Sequence, residues 1–386
     1  MSRRVIHLIN GLGLGGAETM LFQIIKYRSD LNLDYKIISL GETHYYESAL
    51  RDMGIPVVEL SITKHPISSL LKLYKEVKKA DSLCCWMYHS NLIGLFVGKL
   101  AGIKQIIWCI RHSNLDERMN SPLTMRINKL CGKLSKKIDV VAYNGQAARK
   151  AHENIGYFEK KGVVLNNGCD CTIFSPNPSS RKRLHEEFRI SDEKTVILSV
   201  TRNHPIKDIP TFIEAFSLLK AKKKNSVAIM CGSGVTSRCD EIIKLCKGKG
   251  LIVGDDIRLL GPRSDVSYLM AGSDLFCLHS AGEAFPNTLI QAMASGCLCV
   301  ATDVGEVRKV LNNKDWIVKS GNATEMAEKM TKALSLSGES MYSLRQEFRN
   351  RVLHEYNIEK VVKEYEKIFE VCNETFIKNE TASTVT

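Results

Sequence analysis

The chain alternates short apolar strands with amphipathic helices, and this alternation occurs twice along its length. In the first half, strand patterns such as residues 5–10 and 105–110 alternate with helical patterns such as residues 91–101. A stretch rich in Pro, Ser and Asn at residues 174–180 interrupts the pattern, and a second alternation begins at residue 195. Such alternation predicts parallel sheets covered by helices. A length of 386 residues fits two α/β domains of roughly 150 residues or more each.

The composition narrows the class of protein further. With 44% hydrophobic and 25% charged residues, the chain can bury enough apolar surface to fold, which excludes a disordered or fibrous protein. Thirteen cysteines without a Cys-x-x-Cys pair predict reduced, buried thiols. No apolar run reaches the roughly 18 residues that span a bilayer, so we expect a cytoplasmic protein.

The net charge of +12 lies mostly in the first 180 residues. A basic half favours nucleic acid, an anionic membrane surface or an acidic ligand, and a solvated basic surface is the ordinary alternative. The chain contains no sequence-specific nucleic-acid motif. We therefore expect no nucleic-acid partner and favour a membrane surface or a phosphate group.

A glycine-rich turn, residues 11–16, follows the first strand and precedes a helix, in the pattern Gly-x-Gly-x-x-Gly. Glycines let a backbone approach a phosphate at a helix N-terminus, so a dinucleotide site is one interpretation. That interpretation needs an acidic residue at the end of the second strand, but Asp34 precedes this strand and Glu42 lies late. A structural turn and a loop over another phosphorylated ligand are the alternatives.

The strongest motif is residues 280–296, which follow the apolar strand at residues 275–278. Glu283 lies in a loop at the C-terminal end of this strand, where parallel sheets bind ligands. Asn287 or Thr288 then starts a helix whose free N–H groups point at an anion, and Gln291 lies on that helix. We expect an exposed Phe285-Pro286 pair beside Glu283. An ordinary capped loop between a strand and a helix is the alternative.

Two cations, Arg202 and Lys207, follow the first strand of the second domain. They are predicted at the same sheet edge as Glu283, where they suit a diphosphate because Arg offers a planar fork and Lys a point charge. A further glycine turn, Gly232-Ser233-Gly234, follows another strand of that sheet. A solvated loop is again the alternative.

Together these residues resemble a family, the retaining nucleotide-sugar glycosyltransferases of the GT-B architecture, of the family 4 or group 1 type. The resemblance spans nearly the whole chain, and one departure is Gln291, where the family has a second glutamate. Its amide can still accept a hydrogen bond from a nucleotide ribose, but it carries no charge. The motifs that carry the resemblance are Gly15-Gly16-Ala17-Glu18, Asn167-Gly168-Cys169-Asp170 with Phe174, Arg202 with Lys207, Gly232-Ser233-Gly234, and residues 274–306.

The resemblance implies two Rossmann-like domains that face a cleft. Residues 1–175 would form the acceptor domain, residues 176–340 the donor domain, residues 341–372 helices that cross back to brace the first domain, and residues 373–386 a polar tail. The implied activity is transfer of a hexosyl or N-acetylhexosaminyl group from a UDP- or GDP-sugar to a glycan or a polyprenyl-pyrophosphate-linked glycan. Surface polysaccharide, such as lipopolysaccharide O-antigen or capsule, is the expected product, and no metal is expected. The alternatives are an NAD(P)-dependent oxidoreductase and a non-catalytic GT-B binding protein.

The resemblance also implies roles for particular residues. Arg202 and Lys207 would stabilise the departing nucleoside diphosphate, and Glu283 would orient the donor sugar. His112 follows a strand of the first domain and would face the donor sugar or the acceptor, with His89 as its rival. The remaining donor-binding residues would be Gly15, Gly16, Gly232, Ser233, Phe285, Pro286, Asn287, Thr288 and Gln291.

Basic residues recur at helical spacing near residues 126–137, beside an apolar stripe. This pattern predicts an amphipathic helix with a basic face, which favours contact with anionic lipid. We therefore expect peripheral attachment to the inner face of the cytoplasmic membrane. An ordinary core-packed helix with a solvated side is the alternative. The predicted membrane contacts are Lys129, Lys133, Lys136 and Lys137.

Overall fold

The computed structural model describes residues 2–29, 32–41, 45–117 and 120–370, and the chain divides into two compact units. The first unit contains Met1–Gly168 and Ile358–Thr386, and the second contains Cys169–Asn357. The division after Gly168 lies a few residues before the domain boundary that we predicted between residues 175 and 176. The predicted polar tail, residues 373–386, lies outside the described residues.

The first unit is built on a seven-stranded parallel sheet. Its strands are β1 (Arg3–Ile9), β2 (Leu33–Ser39), β3 (Val57–Glu59), β4 (Ser82–Trp86), β5 (Gln105–Ile110), β6 (Val140–Tyr143) and β7 (Gly162–Val164). Their spatial order is β3-β2-β1-β4-β5-β6-β7, so the order reverses between β1 and β4. Buried residues occupy most positions of these strands because helices cover both faces.

The second unit contains a six-stranded parallel sheet of the same style. Its strands are β8 (Thr195–Val200), β9 (Ser226–Cys231), β10 (Ile257–Leu259), β11 (Leu275–Leu278), β12 (Leu298–Thr302) and β13 (Ile317–Val318). The spatial order is β10-β9-β8-β11-β12-β13, with the reversal between β8 and β11. Loops diverge at such a reversal, and open parallel sheets bind ligands at this position, so the ends of β8 and β11 are where a ligand is expected.

Helices separate the strands in both units. They are α1 (Gly16–Lys26), α2 (Glu47–Asp52), α3 (Pro66–Val77), α4 (Met87–Ala101), α5 (Pro122–Leu134), α6 (Gln146–Glu153), α7 (Pro178–Glu187), α8 (Ile209–Lys222), α9 (Asp240–Gly248), α10 (Val266–Gly272), α11 (Asn287–Ala294), α12 (Val307–Leu311), α13 (Ala323–Ala333), α14 (Gly338–Glu355) and α15 (Ile358–Glu370). In the first unit, α1 and α15 pack in the core on one face of the sheet, and α3, α4 and α5 pack in the core on the other.

The two C-terminal helices divide between the units, which corrects the expectation that both brace the first domain. α14 packs against α11 and buries Phe348 and Val352 in the core of the second unit. α15 packs in the first unit, where the ring of Tyr365 stacks on Trp86 with a centroid distance of 6.5 Å. Glu366 of α15 also accepts hydrogen bonds from the backbone and the hydroxyl of Ser29. The buried side chains of α14 belong to the core of the second unit, and those of α15 belong to a core of the first unit.

Candidate functional site

Lys207 and Glu283 meet where β8 and β11 end in the second unit. Lys207 closes the 3-10 turn Pro205–Lys207 after β8, and Glu283 lies in the loop between β11 and α11. The ammonium of Lys207 forms an ion pair with Oε1 of Glu283, and the two side chains are only 20% and 12% exposed. The hydroxyl of Ser280 donates to the same carboxylate oxygen at 2.7 Å. The structure thus brings together a cation and a carboxylate that lie 76 positions apart in the chain.

His279, which sequence reasoning missed, holds the Lys207 turn against β11. Its Nδ1 lies 2.6 Å from the carbonyl oxygen of Lys207, and its Nε2 lies 2.7 Å from the hydroxyl of Ser199. A carbonyl can only accept, so Nδ1 donates and the neutral ring accepts the Ser199 proton at Nε2. Burial lowers the pKa of His279 to about 4. The sequence contains one indication of this role, because His279 directly precedes Ser280, the first residue of the strongest motif.

We expect the second unit to lose stability between pH 7 and pH 5 because His279 is buried in its neutral form. Its pKa is lowered in the folded state, so the unfolded chain binds the proton first as the pH falls below 6.5. The loss continues until the pH reaches the folded pKa of about 4. At pH 5 the expected contribution is on the order of 1–2 kcal/mol. Chemical unfolding at several pH values measures it.

The matched pair for this measurement is His279→Gln and His354→Gln. His279→Gln should be less stable at pH 7 and should show a smaller dependence of stability on pH over this range. The exposed His354 serves as control, and its variant should follow the wild type. An unchanged pH dependence in His279→Gln would show that its protonation does not control the stability of this turn.

Arg202 lies exposed on the same loop as Lys207 and adds to a local positive field. Burial, followed by the charges of Arg202 and Lys207, lowers the pKa of the intervening His204. Nδ1 of His204 accepts a hydrogen bond from the backbone N–H of Ile206 at 3.2 Å, which fixes the start of the turn. This loop therefore carries both an exposed guanidinium and a half-buried ammonium, a combination that can bind a diphosphate.

Two glycines allow backbone to approach this site closely. Gly232 follows β9 with a φ of +138°, and a side chain on it would overlap the carbonyl oxygen of Thr201. Beside it, the carbonyl of Ser233 accepts the N–H of Asn203 at 2.7 Å, so the turns after β8 and β9 are joined. Gly305, with a φ of +52°, packs against the carbonyl of Glu283 in the same way. Only glycine meets both the conformational and the steric demand at these positions.

The expectation of an exposed Phe285-Pro286 pair is wrong, because both residues are buried. The ring of Phe285 packs against Tyr356 of the second unit with centroids 5.8 Å apart, which removes apolar surface from water. Pro286 has no N–H, and the N–H of Asn287 donates to the Phe285 carbonyl at 3.0 Å. The turn therefore offers a ligand fewer N–H groups than the sequence suggested. Gln291 is half-buried on α11, about one turn beyond the helix start.

The glycine-rich turn of the first unit ends at Gly15, whose extended backbone caps α1. Leu12 anchors the turn, since its side chain is fully buried and its carbonyl accepts the N–H groups of Tyr45 and Tyr46 at 3.3 Å each. The following Gly16 begins α1. Asp34, considered for a dinucleotide site, lies near the start of β2 and pairs with Arg4 at 2.9 Å, while Glu42 lies outside the described residues. Asp34 is thus at the wrong end of its strand for a ribose partner.

The two candidate histidines also belong to the first unit. His112 follows β5, and its Nε2 lies 3.2 Å from Oδ1 of Asn120. His89 lies in the first turn of α4, whereas we expected it at a strand end, because the helix begins directly after β4. His112 is therefore the candidate histidine that lies in a loop, and the side-chain amide of Asn120 holds its ring in place.

The predicted membrane lysines are exposed. Lys129 and Lys133 lie on α5, and Lys136 and Lys137 lie in the 3-10 turn that follows it. Lys129 pairs with Glu117 at 2.7 Å, and the ammonium of Lys136 lies 5.6 Å from the centre of the Phe158 ring. Both contacts leave the cations open to solvent.

The described parts of the chain lack both a metal-binding cluster and a membrane-spanning helix. No group of three or more His, Cys, Asp or Glu side chains in these parts is arranged to hold a metal ion. Likewise, no described helix combines the length and hydropathy needed to cross a bilayer. A reaction without a metal remains a prediction.

Proteins of similar sequence are glycosyltransferases. Residues 180–354, within the second unit, match the family model described as Glycosyl transferases group 1. The putative glycosyltransferase EpsF of Bacillus subtilis (strain 168) is 23% identical over 325 residues, which cover 78% of this chain and 79% of that protein. A Campylobacter jejuni enzyme, N,N'-diacetylbacillosaminyl-diphospho-undecaprenol alpha-1,3-N-acetylgalactosaminyltransferase, is 24% identical over 304 residues, which cover 74% of this chain and 78% of the enzyme.

The fold has a solved counterpart in the crystal structure of Anabaena Alr3699/HepE in complex with UDP. The two structures superpose with a TM-score of 0.83 at 19% sequence identity, over 95% of this chain and 99% of that one. Both sheets and their order of connection therefore follow an architecture already seen in a solved structure that holds UDP. The second unit thus matches the glycosyltransferase group 1 domain over residues 180–354, and the chain has the GT-B fold of two Rossmann-like units.

Proposed function

We propose that this glycosyltransferase moves a hexosyl or N-acetylhexosaminyl group from a UDP- or GDP-sugar to a glycan acceptor, with retention at the anomeric carbon. The observation that carries the proposal is the contact of Lys207 with Glu283 where β8 and β11 end, beside the exposed Arg202. Fixed cations suit the donor's diphosphate, and a carboxylate suits the hydroxyl groups of its sugar.

In the proposed reaction, the bond between the anomeric carbon and the donor phosphate oxygen breaks. The acceptor oxygen forms its bond to that carbon on the same face, and its proton passes to a donor phosphate oxygen. Negative charge grows on the leaving nucleoside diphosphate, and Arg202 and Lys207 stabilise it. Glu283 accepts hydrogen bonds from the sugar hydroxyls and orients the ring. No nucleophile from the protein is required.

The remaining contacts to the donor come from the surrounding turns. The proposed lining of the diphosphate consists of Gly232, Ser233 and the start of α11, and Gln291 accepts a hydrogen bond from the ribose. Within the first unit, the resemblance implies that the turn with Gly15 and Gly16 is a phosphate-binding turn and that His112 is the residue for the sugar or the acceptor. The assignments in the second unit rest on the order of the motifs and on the adjacency of strands β9, β8 and β11, and those in the first unit rest on the order of the motifs alone.

We further propose a lipid-linked acceptor in the synthesis of a surface polysaccharide such as O-antigen or capsule. The name of the Campylobacter jejuni relative specifies a diphospho-undecaprenol acceptor, which supports this class. An acceptor of this kind lies at a membrane surface, and the positive charge of the first unit favours its binding to anionic lipid there.

Thermal stability in the presence of UDP, GDP, ADP, NAD and NADP tests the proposed donor. A ligand that binds only the folded protein stabilises it, by about 2.7 kcal/mol at a concentration of one hundred times Kd. We expect a shift with UDP or GDP, and the one that shifts identifies the donor class. A shift with NAD or NADP alone would contradict the proposal and favour the dinucleotide interpretation of residues 11–16.

A further inference from the structure

The helix α3 carries two apolar stripes, of which the fold buries only one. Ser69, Leu73 and Val77 point into the first unit. Ile67 and Leu71 lie on another side of the helix and remain 76% and 58% exposed. A helix of a soluble domain normally places polar residues opposite its buried stripe. Packing within the first unit therefore does not explain the second, exposed apolar stripe.

The neighbouring helix α4 shows the same feature. Its glycines Gly94 and Gly98 face the sheet, because a side chain on either would contact Cys85 or Ile106. Phe96 and Leu100 point to solvent, with exposures of 60% and 76%. A phenylalanine and a leucine one turn apart thus lie in water on an otherwise well-packed helix.

On α5, Leu123 and Leu130 are 63% and 42% exposed, while Met125 and Cys131 pack inward. α4 packs against α3 on one side and against α5 on the other, so the three helices form one layer over the sheet. We call its solvent side the outer helical face. It is defined by the exposed side chains of Ile67, Leu70, Leu71, Phe96, Leu100, Leu123 and Leu130.

The helices of the outer helical face carry almost only positive charge. Within α3, α4 and α5, all of which the structure describes, Glu76 is the single acidic residue, and it pairs with Lys36 at 2.7 Å. Each helix also contributes exposed cations, such as Lys75, Lys99 and Lys133. Long lysine side chains can reach head groups while neighbouring apolar side chains enter the acyl boundary.

We propose that the outer helical face docks the protein on an anionic bilayer, with its apolar side chains inserted and its lysines at the lipid head groups. Stable peripheral binding needs two signals, and this face supplies both insertion and positive charge. A second copy of the chain would instead bring the same lysines against each other. The inference rests on the proposed function only for its purpose, which is to bring the enzyme to a lipid-linked acceptor.

Flotation with vesicles tests the proposal without any substrate. The wild type should bind vesicles of phosphatidylglycerol mixed with phosphatidylcholine, and should bind phosphatidylcholine alone far less. The combined variant Ile67→Ser, Leu71→Ser, Phe96→Ser and Leu100→Ser should bind at least about tenfold less. The variant Lys75→Gln, Lys99→Gln and Lys133→Gln should lose about fivefold per lysine and also lose the weakening that salt causes.

The matched control is Ile252→Ser with Tyr342→Ser, which removes side chains that are 60% and 67% exposed in the second unit. It should bind vesicles as the wild type does. Equal binding by the four-serine variant, equal binding to neutral vesicles, or a dimer that the serine substitutions abolish would each overturn the proposal. Stabilisation by UDP or GDP should persist in every variant, so failure of membrane docking is distinguishable from failure of the proposed donor site.

Discussion

Glu283→Ala is expected to reduce sugar transfer by roughly a thousandfold or more while nucleoside diphosphate binding persists. The carboxylate is proposed to hold the transferred sugar of the donor, which UDP and GDP lack. In the structure this carboxylate is held by Lys207 and Ser280, so its position is set before a substrate arrives. Such preorganisation is what makes a single polar group valuable in a reaction that develops charge.

The measurements are initial rates of transfer, and thermal stability with and without nucleoside diphosphate. Glu214→Ala is the matched control, because Glu214 also pairs with a lysine, Lys249, at 2.9 Å, but lies on α8 with a side chain that is 47% exposed. Glu283→Gln tests the charge itself, since the amide preserves size and an accepting oxygen. Transfer at the wild-type rate by Glu283→Ala would remove its assigned role.

Lys207→Ala and Arg202→Ala, unlike Glu283→Ala, are expected to weaken binding of the nucleoside diphosphate itself. A charge-assisted hydrogen bond contributes about 1.5–3 kcal/mol, so each variant should bind UDP or GDP roughly ten- to a hundredfold more weakly. Turnover should fall in addition by roughly a hundred- to a thousandfold, because negative charge on the phosphate grows as the glycosyl bond breaks. Lys207→Ala should show the larger effect, since its ammonium is held in place by Glu283.

Titration calorimetry with the nucleotide that stabilises the wild type measures the loss of binding, and initial rates measure the loss of turnover. Lys244→Ala provides the control, because Lys244 is exposed on α9 in the same unit. The contrast between variants is diagnostic, as Glu283→Ala should separate binding from transfer and Lys207→Ala should reduce both. Undiminished UDP and GDP binding by both cation variants would place the diphosphate elsewhere.

The sequence by itself determined the architecture and the edge of the sheet where the candidate site lies. Alternating strands and helices require parallel sheets, and the carboxyl ends of parallel strands share one edge. Residues that follow different strands, such as Lys207 and Glu283, are therefore expected at one edge even though they are far apart in the chain. The order and spacing of the motifs together, above all residues 274–306, indicated the family that the comparisons then supported.

Tertiary structure alone decided which of these residues touch and which face solvent. The order of strands, with β8 beside β11, creates the contact of Lys207 with Glu283 and gives His279 its role between two turns. Burial of Phe285 depends on Tyr356, and the exposure of Phe96 depends on how closely α4 lies on the sheet. Local patterns specify which residues form a helix or a strand, but burial of each side depends on neighbours that are distant in the chain. For this reason the sequence could predict which residues lie at the candidate site, but not which of their side chains are in contact or exposed.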